Sequence, residues 1–323
     1  MGTLTEGNTF KDRYKIIEVL QDQGDLAIYK AKDIASHNSL VYIREIDFET
    51  KGYKSFTEES VGQLVEMLST VSHPALPKFL EYSRGISSGY IVEEYITGQT
   101  LSECLEAHAG LYTFDEAYGW MIELCDLIQY LHSLEKQIIL RGITPNVIKI
   151  TPSGALKVIS LDKARYFSTG KETPDTVFVW NPGYTSPEQY GTQKSDVRAD
   201  VYGFGAVFYY LFTKQNLGSF HFNFPPVSQF NPSFTKEQDD IFAKCLDKDV
   251  FSRYQSIFAV KNEIIKNGPM SKSKEPEVTS FFGDEAEEFE KPETKEKIKG
   301  FMDGIREWFR MLTKKMMEWM GET

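Results

Sequence analysis

The feature that most constrains the fold is a change in the hydrophobic period near residue 96. Before it, apolar and polar residues alternate in short runs typical of β-strands: YKIIEVL, LAIYKAKD, SLVYIREID, PKFLEYS and GYIVEEY. One helical stretch, FTEESVGQLVEMLSTV, interrupts these runs. From residue 97 to 267 the period is mostly helical, with one short β pair, VIKIT and LKVIS. The pattern predicts an α+β chain, with a small sheet first and a helical region second.

Composition excludes several classes of protein. The 323 residues carry 36 basic and 47 acidic side chains, a net charge of −11 that argues against a nucleic-acid partner. The three cysteines are widely spaced and the five histidines are scattered, so we expect neither a metal site nor a disulfide scaffold. The amino terminus is polar, and no apolar run of eighteen residues exists. We therefore expect a cytoplasmic protein, with peripheral membrane contact left open.

Six segments occur in a recognisable order. They are His73-Pro74, YIVEEYITGQTL at 90–101, ILRGITP at 139–145, PGYTSPEQ at 182–189, Asp200 within SDVRADVYGFG, and CLDKDVFSRYQS at 245–256. Together they resemble the eukaryotic-type Ser/Thr protein kinase domain in its bacterial form, over about residues 11–267. The resemblance implies a bilobal protein kinase-like fold, with a small β-rich N-lobe at about 11–94 and a helical C-lobe at about 95–267. Residues 1–10 are then an N-terminal extension.

Most positions that the resemblance assigns to phosphoryl transfer carry other residue types here. Transfer needs a glycine-rich cover, a Lys–Glu pair, a base and two metal ligands. The corresponding residues, in chain order, are Gln21, Gln23, Leu26, Arg44, Leu64, Gly142, Thr144, Val147 and Ser160. Neither the base nor the family metal ligands remain. The resemblance thus implies a pseudokinase with no catalytic residues and no bound metal.

Four structural positions of the family are retained: Arg141, Glu188, Asp200 and Arg253. The resemblance implies a buried Glu188–Arg253 ion pair and bonds from catalytic-loop amides to Asp200. Because the structural residues are retained and the catalytic residues are not, we predict a protein-interaction or allosteric regulatory module. Two alternatives stay open. One is an atypical or residually active ATP-dependent kinase or other transferase, and the other is a membrane-peripheral adaptor.

The resemblance also places the former nucleotide pocket. Tyr42 and Lys149 are at the positions that contact the two faces of the adenine ring, and Glu93 is at the position before the hinge. A phenol and two charged groups therefore line the pocket that binds a purine in the family. Buried charges need partners. One hypothesis is that Lys149, Glu93 and Arg44 neutralise one another while Tyr42 fills the space; the alternative is that Lys149 and Glu93 point to solvent. Asp162 completes the pocket. We expect no cofactor, and these walls argue against ATP binding.

The last 56 residues change character. Residues 268–297 form an acidic segment that we predict to be a flexible linker. Residues 298–323 predict an amphipathic helix whose apolar heptad positions are Ile298, Met302, Ile305, Phe309, Leu312, Met316 and Trp319. This face needs a cover, which could be its own domain, another helix (a partner protein or a second copy) or a membrane surface. The acidic linker disfavours docking on an acidic domain, so we expect a different surface.

Removing residues 298–323 should change the oligomeric state, the capture of partner proteins or recovery with vesicles. The rest of the chain should keep its melting temperature within about 2 °C, because the helix lies outside its core. Light scattering, vesicle co-sedimentation and thermal unfolding measure these properties. A truncated chain that stays monomeric like its parent but melts several degrees lower would contradict this expectation.

Overall fold

The computed structural model describes residues 2–49, 56–167, 181–190 and 195–269. The chain divides into two units, residues 1–272 and 273–323, and the described residues all belong to the first. The helix predicted over 298–323, and the linker from residue 270 onward, lie outside the described residues. Within the described ranges, no helix combines the length and apolar character needed to cross a membrane.

An antiparallel six-stranded sheet forms the N-lobe, in the order β1-β2-β3-β4-β6-β5. Its strands are β1 (Thr9–Phe10), β2 (Tyr14–Gln23), β3 (Leu26–Asp33), β4 (Ser39–Asp47), β5 (Phe79–Arg84) and β6 (Ser88–Glu94). Helix α1 (Glu58–Thr70) lies between β4 and β5, and a capping box of Thr57 and Ser60 satisfies its first amides. The strands predicted from alternation and the single inserted helix are confirmed.

The N-terminal segment, residues 2–10, is docked on this sheet. Strand β1 lies within it and pairs with β2. The buried carboxylate of Glu45 accepts hydrogen bonds from the Thr3 amide at 2.9 Å and hydroxyl at 2.7 Å, and from the hydroxyls of Tyr29 at 2.7 Å and Tyr90 at 3.0 Å. The segment that the sequence left outside the kinase-like region is therefore tied to the sheet by a buried acid.

The C-lobe is mainly helical. Its helices are α2 (Leu101–Ala107), α3 (Phe114–Ser133), α4 (Val197–Thr213), α5 (Lys236–Cys245) and α6 (Ile257–Asn267). Five short strands accompany them: β7 (Gln99–Thr100), β8 (Ile138–Ile139), β9 (Ile148–Ile150), β10 (Leu156–Val158) and β11 (Arg165–Tyr166). Helix α4 is apolar on nearly all sides and is correspondingly buried, as an all-round hydrophobic helix must be.

One hydrophobic core runs through both lobes. It contains Leu68 of α1 together with Leu140, Leu161 and the aromatic side chains of α4. A second, smaller cluster lies on the other face of the sheet, around Tyr14 and Tyr29, where the N-terminal segment docks. The fold is thus α+β and two-lobed, as expected, and the loops after β8 and β10 lie between the lobes.

A buried ion pair ties residues 187–190 to the C-lobe. Both Nη atoms of Arg253 donate to the carboxylate of Glu188, each at 2.8 Å, and its Nε donates to the carbonyl of Asp247 at 2.7 Å. The Arg253 side chain is fully buried, and that of Glu188 is 8% exposed. The pair expected between these two residues is confirmed.

Replacing Arg253 with alanine should lower the free energy of unfolding by about 3–5 kcal/mol, because Glu188 is left as an uncompensated buried charge. The matched control is Lys266→Ala, which removes an exposed partner of Glu263 and should change the free energy of unfolding by less than about 0.5 kcal/mol. Chemical denaturation of both variants measures the difference. Equal stability of the two variants would contradict a structural role for the buried pair.

Candidate functional site

Asp200 fixes the loop that follows β8. Its carboxylate, buried on α4, accepts the amide protons of Leu140 at 2.9 Å and Arg141 at 2.8 Å, and lies 2.8 Å from Nε2 of His132. Arg141 takes a positive φ of 61°, an unusual conformation for a residue with a side chain. The expected bonds between Asp200 and the loop amides are confirmed. These bonds fix the position of residue 142 in the cleft, which is the space between the two lobes.

Four of the replaced catalytic positions, those after β8 and β10, line one cavity of about 200 Å³. Its lining includes Gly142, Thr144, Val147, Ser160 and Asp162. The backbone of Gly142 packs closely against Lys163. A Cβ atom at position 142 would come within 2.8 Å of the Lys163 Cβ, so the space beyond Gly142 is already filled. Among the described residues that line this cavity, Asp162 is the only acid.

Arg44 forms the electrostatic centre of the cleft. It lies on β4 with 3% of its side chain exposed, and its two Nη atoms donate to Glu93 on β6 and to Asp162 after β10. Burial disfavours the charged guanidinium, but the charges of Asp162 and Glu93 outweigh burial and raise the pKa of Arg44. Leu64, at the position of the family's pairing glutamate, is buried in the core instead. The described contacts of Arg44 thus join both lobes.

Lys149 does not belong to this cluster. The hypothesis of a Lys149–Glu93–Arg44 group was therefore correct for Glu93 and Arg44 and wrong for Lys149. Its ammonium donates to the carbonyl of Ile96 at 3.1 Å and lies 5.2 Å from the ring centroid of Tyr95. The third member of the group is Asp162, which accepts a hydrogen bond from Arg44. Lys149 stays where water and a carbonyl can solvate its charge, and burial there lowers its pKa.

A smaller cavity of about 150 Å³ occupies the former nucleotide position. Tyr42, Glu93 and Lys149 line it, together with residues of the hinge. Burial raises the pKa of the Tyr42 phenol to about 12. Ligand pockets commonly measure about 300–1,000 Å³, so this cavity is small for a nucleotide. The residues that line it therefore fit ATP poorly.

The cover of the cleft is a tight hairpin. Strands β2 and β3 are joined by only two residues, Gly24 and Asp25, and Gln23 pairs directly with Leu26. Gly24 has a φ of 61°, which this turn requires. The side chains at Gln21, Gln23 and Leu26 lie on paired strands. This hairpin lacks the flexible glycine-rich cover that phosphate binding uses.

Sequence reasoning placed Arg44, Glu93 and Asp162 in one pocket but missed the contact between Arg44 and Asp162. Strand pairing could have indicated that Arg44 lies near Glu93. Glu93 is directly opposite Tyr42, and Arg44 is two residues further along the same strand. The Asp162 contact depends on a turn after β10, where the Asp162 amide donates to Ser160 Oγ at 3.2 Å. Within the described ranges, no group of three or more His, Cys, Asp or Glu residues is placed to hold a metal ion.

Known proteins that are similar in sequence to this chain are described as protein kinases. The family model described as the protein kinase domain matches residues 27–265. The chain is 25% identical over 273 residues to the probable serine/threonine-protein kinase PknB of Lactococcus lactis, which covers 80% of this chain and 42% of that protein. It is 26% identical over 261 residues to the serine/threonine-protein kinase PrkC of Bacillus subtilis, covering 77% of this chain and 40% of that protein.

The similarity covers most of this chain but only part of each relative. A third relative, PknB of Mycobacterium leprae, is 24% identical over 274 residues, covering 79% of this chain and 43% of its own length. The chain spans less than half the length of these curated relatives. The family model, in contrast, covers well over half of the chain and includes the Arg44 cluster and α4. The chain therefore belongs to the protein kinase domain family, of the bacterial serine/threonine kinase type.

Proposed function

We propose that this chain is a pseudokinase that acts as a protein-interaction or allosteric regulatory module. The observation that carries the proposal is the contact of Arg44 with both Glu93 and Asp162. In the family, this position on the third long strand of the sheet supplies the positive charge that holds nucleotide phosphates. Here that charge has two carboxylate partners, one more than the Lys–Glu pair of the family provides.

An incoming triphosphate would have to compete with these carboxylates. Removing one partner from a buried charge pair costs about 3–5 kcal/mol, because the remaining charge has lost its solvation. Glu93 and Asp162 would also repel the phosphate oxygens. The cluster thus opposes nucleotide binding through both the loss of its own contacts and direct charge repulsion.

The opposite wall of the cleft supports the same proposal. A transferase needs a base near the acceptor hydroxyl, and the family position for it is Gly142, which has no side chain. The space beyond Gly142 is taken by Lys163. Val147 and Ser160 stand at the positions of the family's metal ligands, and valine has no donor atom for a metal. These residues do not fit a metal–nucleotide complex.

The retained scaffold favours a binding role. The Glu188–Arg253 pair and the Asp200 bonds maintain the shape of the C-lobe although neither contributes to a reaction here. A rigid surface is what a partner protein recognises, since preorganisation lowers the entropic cost of association. Partners are thus expected on the kinase-like surface, besides those of the predicted C-terminal helix.

Magnesium or manganese ATP at 1 mM should raise the melting temperature of the full chain by less than about 2 °C. Binding with a dissociation constant of about 0.1 mM would add about 1.4 kcal/mol of stability and produce a larger shift. Differential scanning fluorimetry measures this, with the Bacillus subtilis relative as the positive control. A metal-dependent shift of several degrees would refute the closed phosphate site.

The purified chain should incorporate no more labelled phosphate from ATP than its Asp162→Asn variant, either into itself or into a general protein substrate. Asp162 is the acid at the described cleft wall, so a rebuilt transferase would depend on it. Scintillation counting after incubation with magnesium or manganese measures the incorporation. Phosphate transfer by the parent chain that the variant lacks would favour the atypical transferase instead.

A further inference from the structure

The N-terminal segment and the contact between the lobes meet at two consecutive residues. Arg44 reaches across the cleft to Asp162, and its neighbour Glu45 accepts hydrogen bonds from the N-terminal segment on the other face of the sheet. Both side chains are almost fully buried, at 3% and 2% exposed. Because consecutive side chains of a strand share one stretch of backbone, a displacement of Glu45 also moves Arg44.

The Glu45 carboxylate depends on the N-terminal segment for half of its described hydrogen bonds. Thr3 donates two, from its amide at 2.9 Å and from its hydroxyl at 2.7 Å. The other two come from the hydroxyls of Tyr29 on β3 and Tyr90 on β6, the strands on either side of β4. A buried carboxylate that loses donors is costly unless it moves toward water. Release of the segment would therefore change the position of β4.

The segment fits the sheet closely at Gly2. The Gly2 amide donates to the Asp22 carboxylate at 3.0 Å. A Cβ atom at position 2 would lie 1.9 Å from the Tyr29 hydroxyl oxygen and 2.7 Å from the Ala27 Cβ. Tyr29 is fully buried and Ala27 is 3% exposed, so neither can move aside without disturbing the sheet. A side chain at position 2 should therefore displace the segment.

The turn that joins the segment to β2 opposes docking, whereas apolar contacts favour it. Lys11 and Asp12 both have a φ of 53°, a conformation that asparagine and glycine adopt more readily. Leu4 and Phe10 pack against the small hydrophobic cluster, with the Phe10 ring centroid 4.6 Å from that of Tyr90. These opposing contributions make docking of the segment an equilibrium that a modest change in free energy can shift.

We propose that the N-terminal segment is a conformational switch that controls the contact between Arg44 and Asp162. With the segment docked, Glu45 has all four donors and β4 is held where Arg44 reaches Asp162. With the segment released, Glu45 turns toward water, β4 loosens and the lobes lose this contact. The switch concerns the contact itself. Its test uses no nucleotide, so it can fail while the proposed function holds, and the reverse.

Hydrogen–deuterium exchange of the full chain tests the switch by comparing Gly2→Val with the parent. Amides of residues 39–47 and 158–166 should exchange at least about fivefold faster in the variant. Amides of α4 should exchange as in the parent, which shows that the effect is local. The matched control is Gly110→Val, since Gly110 is exposed and no group of the described residues lies within 4 Å of its Cβ position. It should leave all three regions unchanged.

The Asp162→Asn background tests whether the effect passes through Arg44. Asparagine removes the charge that Arg44 contacts, so exchange of residues 158–166 should already be faster, and adding Gly2→Val should change it by less than about twofold. Three results would overturn the proposal: parent-like exchange of residues 158–166 in Gly2→Val, an equal increase in both backgrounds, or a uniform increase that includes α4. If Gly2→Val does not fold, Thr3→Val, which removes one donor to Glu45, decides by the same comparison.

Discussion

A buried guanidinium requires counter-charges, and Arg44 finds them on both sides of the cleft. Glu93 approaches from a neighbouring strand of the N-lobe, whereas Asp162 comes from the segment after β10. Because neither lobe alone supplies both carboxylates, the solvation of this one charge depends on the lobes staying together. The same contact carries the proposed weakness of nucleotide binding, so the cohesion of the two lobes and that proposal have a common physical origin.

Strand β4 has a buried charged side chain on each face of the sheet. Arg44 points to the cleft, and the next residue, Glu45, points to the opposite face, as the alternation of a strand requires. There Glu45 accepts bonds from Thr3, Tyr29 and Tyr90. The N-terminal segment and the cleft cluster are therefore held by adjacent residues of one strand. A change in the position of this strand would affect both.

Local patterns predicted the elements well because each strand and helix has its own period. Alternation gave β2 to β6, and the all-round apolar sequence of α4 matched its burial. The contacts of charged groups were harder to predict. The resemblance places Lys149 and Asp162 at the same pocket, but only the turn after β10 shows that Asp162 reaches Arg44. A four-carbon ammonium can also find a carbonyl and water at the cleft mouth, as Lys149 does.

The docked N-terminal segment was missed for a related reason. Its two-residue strand is too short to show a period, and the buried carboxylate that binds Thr3 lies 42 residues away in the sequence. The retained family positions were predictable, in contrast, because Glu188, Asp200 and Arg253 have the same partners that the resemblance implies. Position in a motif predicted these contacts where composition and period could not.

The close packing of Gly142 on Lys163 limits which residues position 142 can accept. An aspartate at position 142 would place its Cβ 2.8 Å from the Cβ and 2.9 Å from the Cγ of Lys163, and the Cβ of Lys163 cannot move without its backbone. An acid at this position would require a smaller residue at position 163 or a shifted loop. Position 142 therefore accepts no side chain on its own, because any Cβ there requires a movement of the Lys163 side chain or of the loop that carries it.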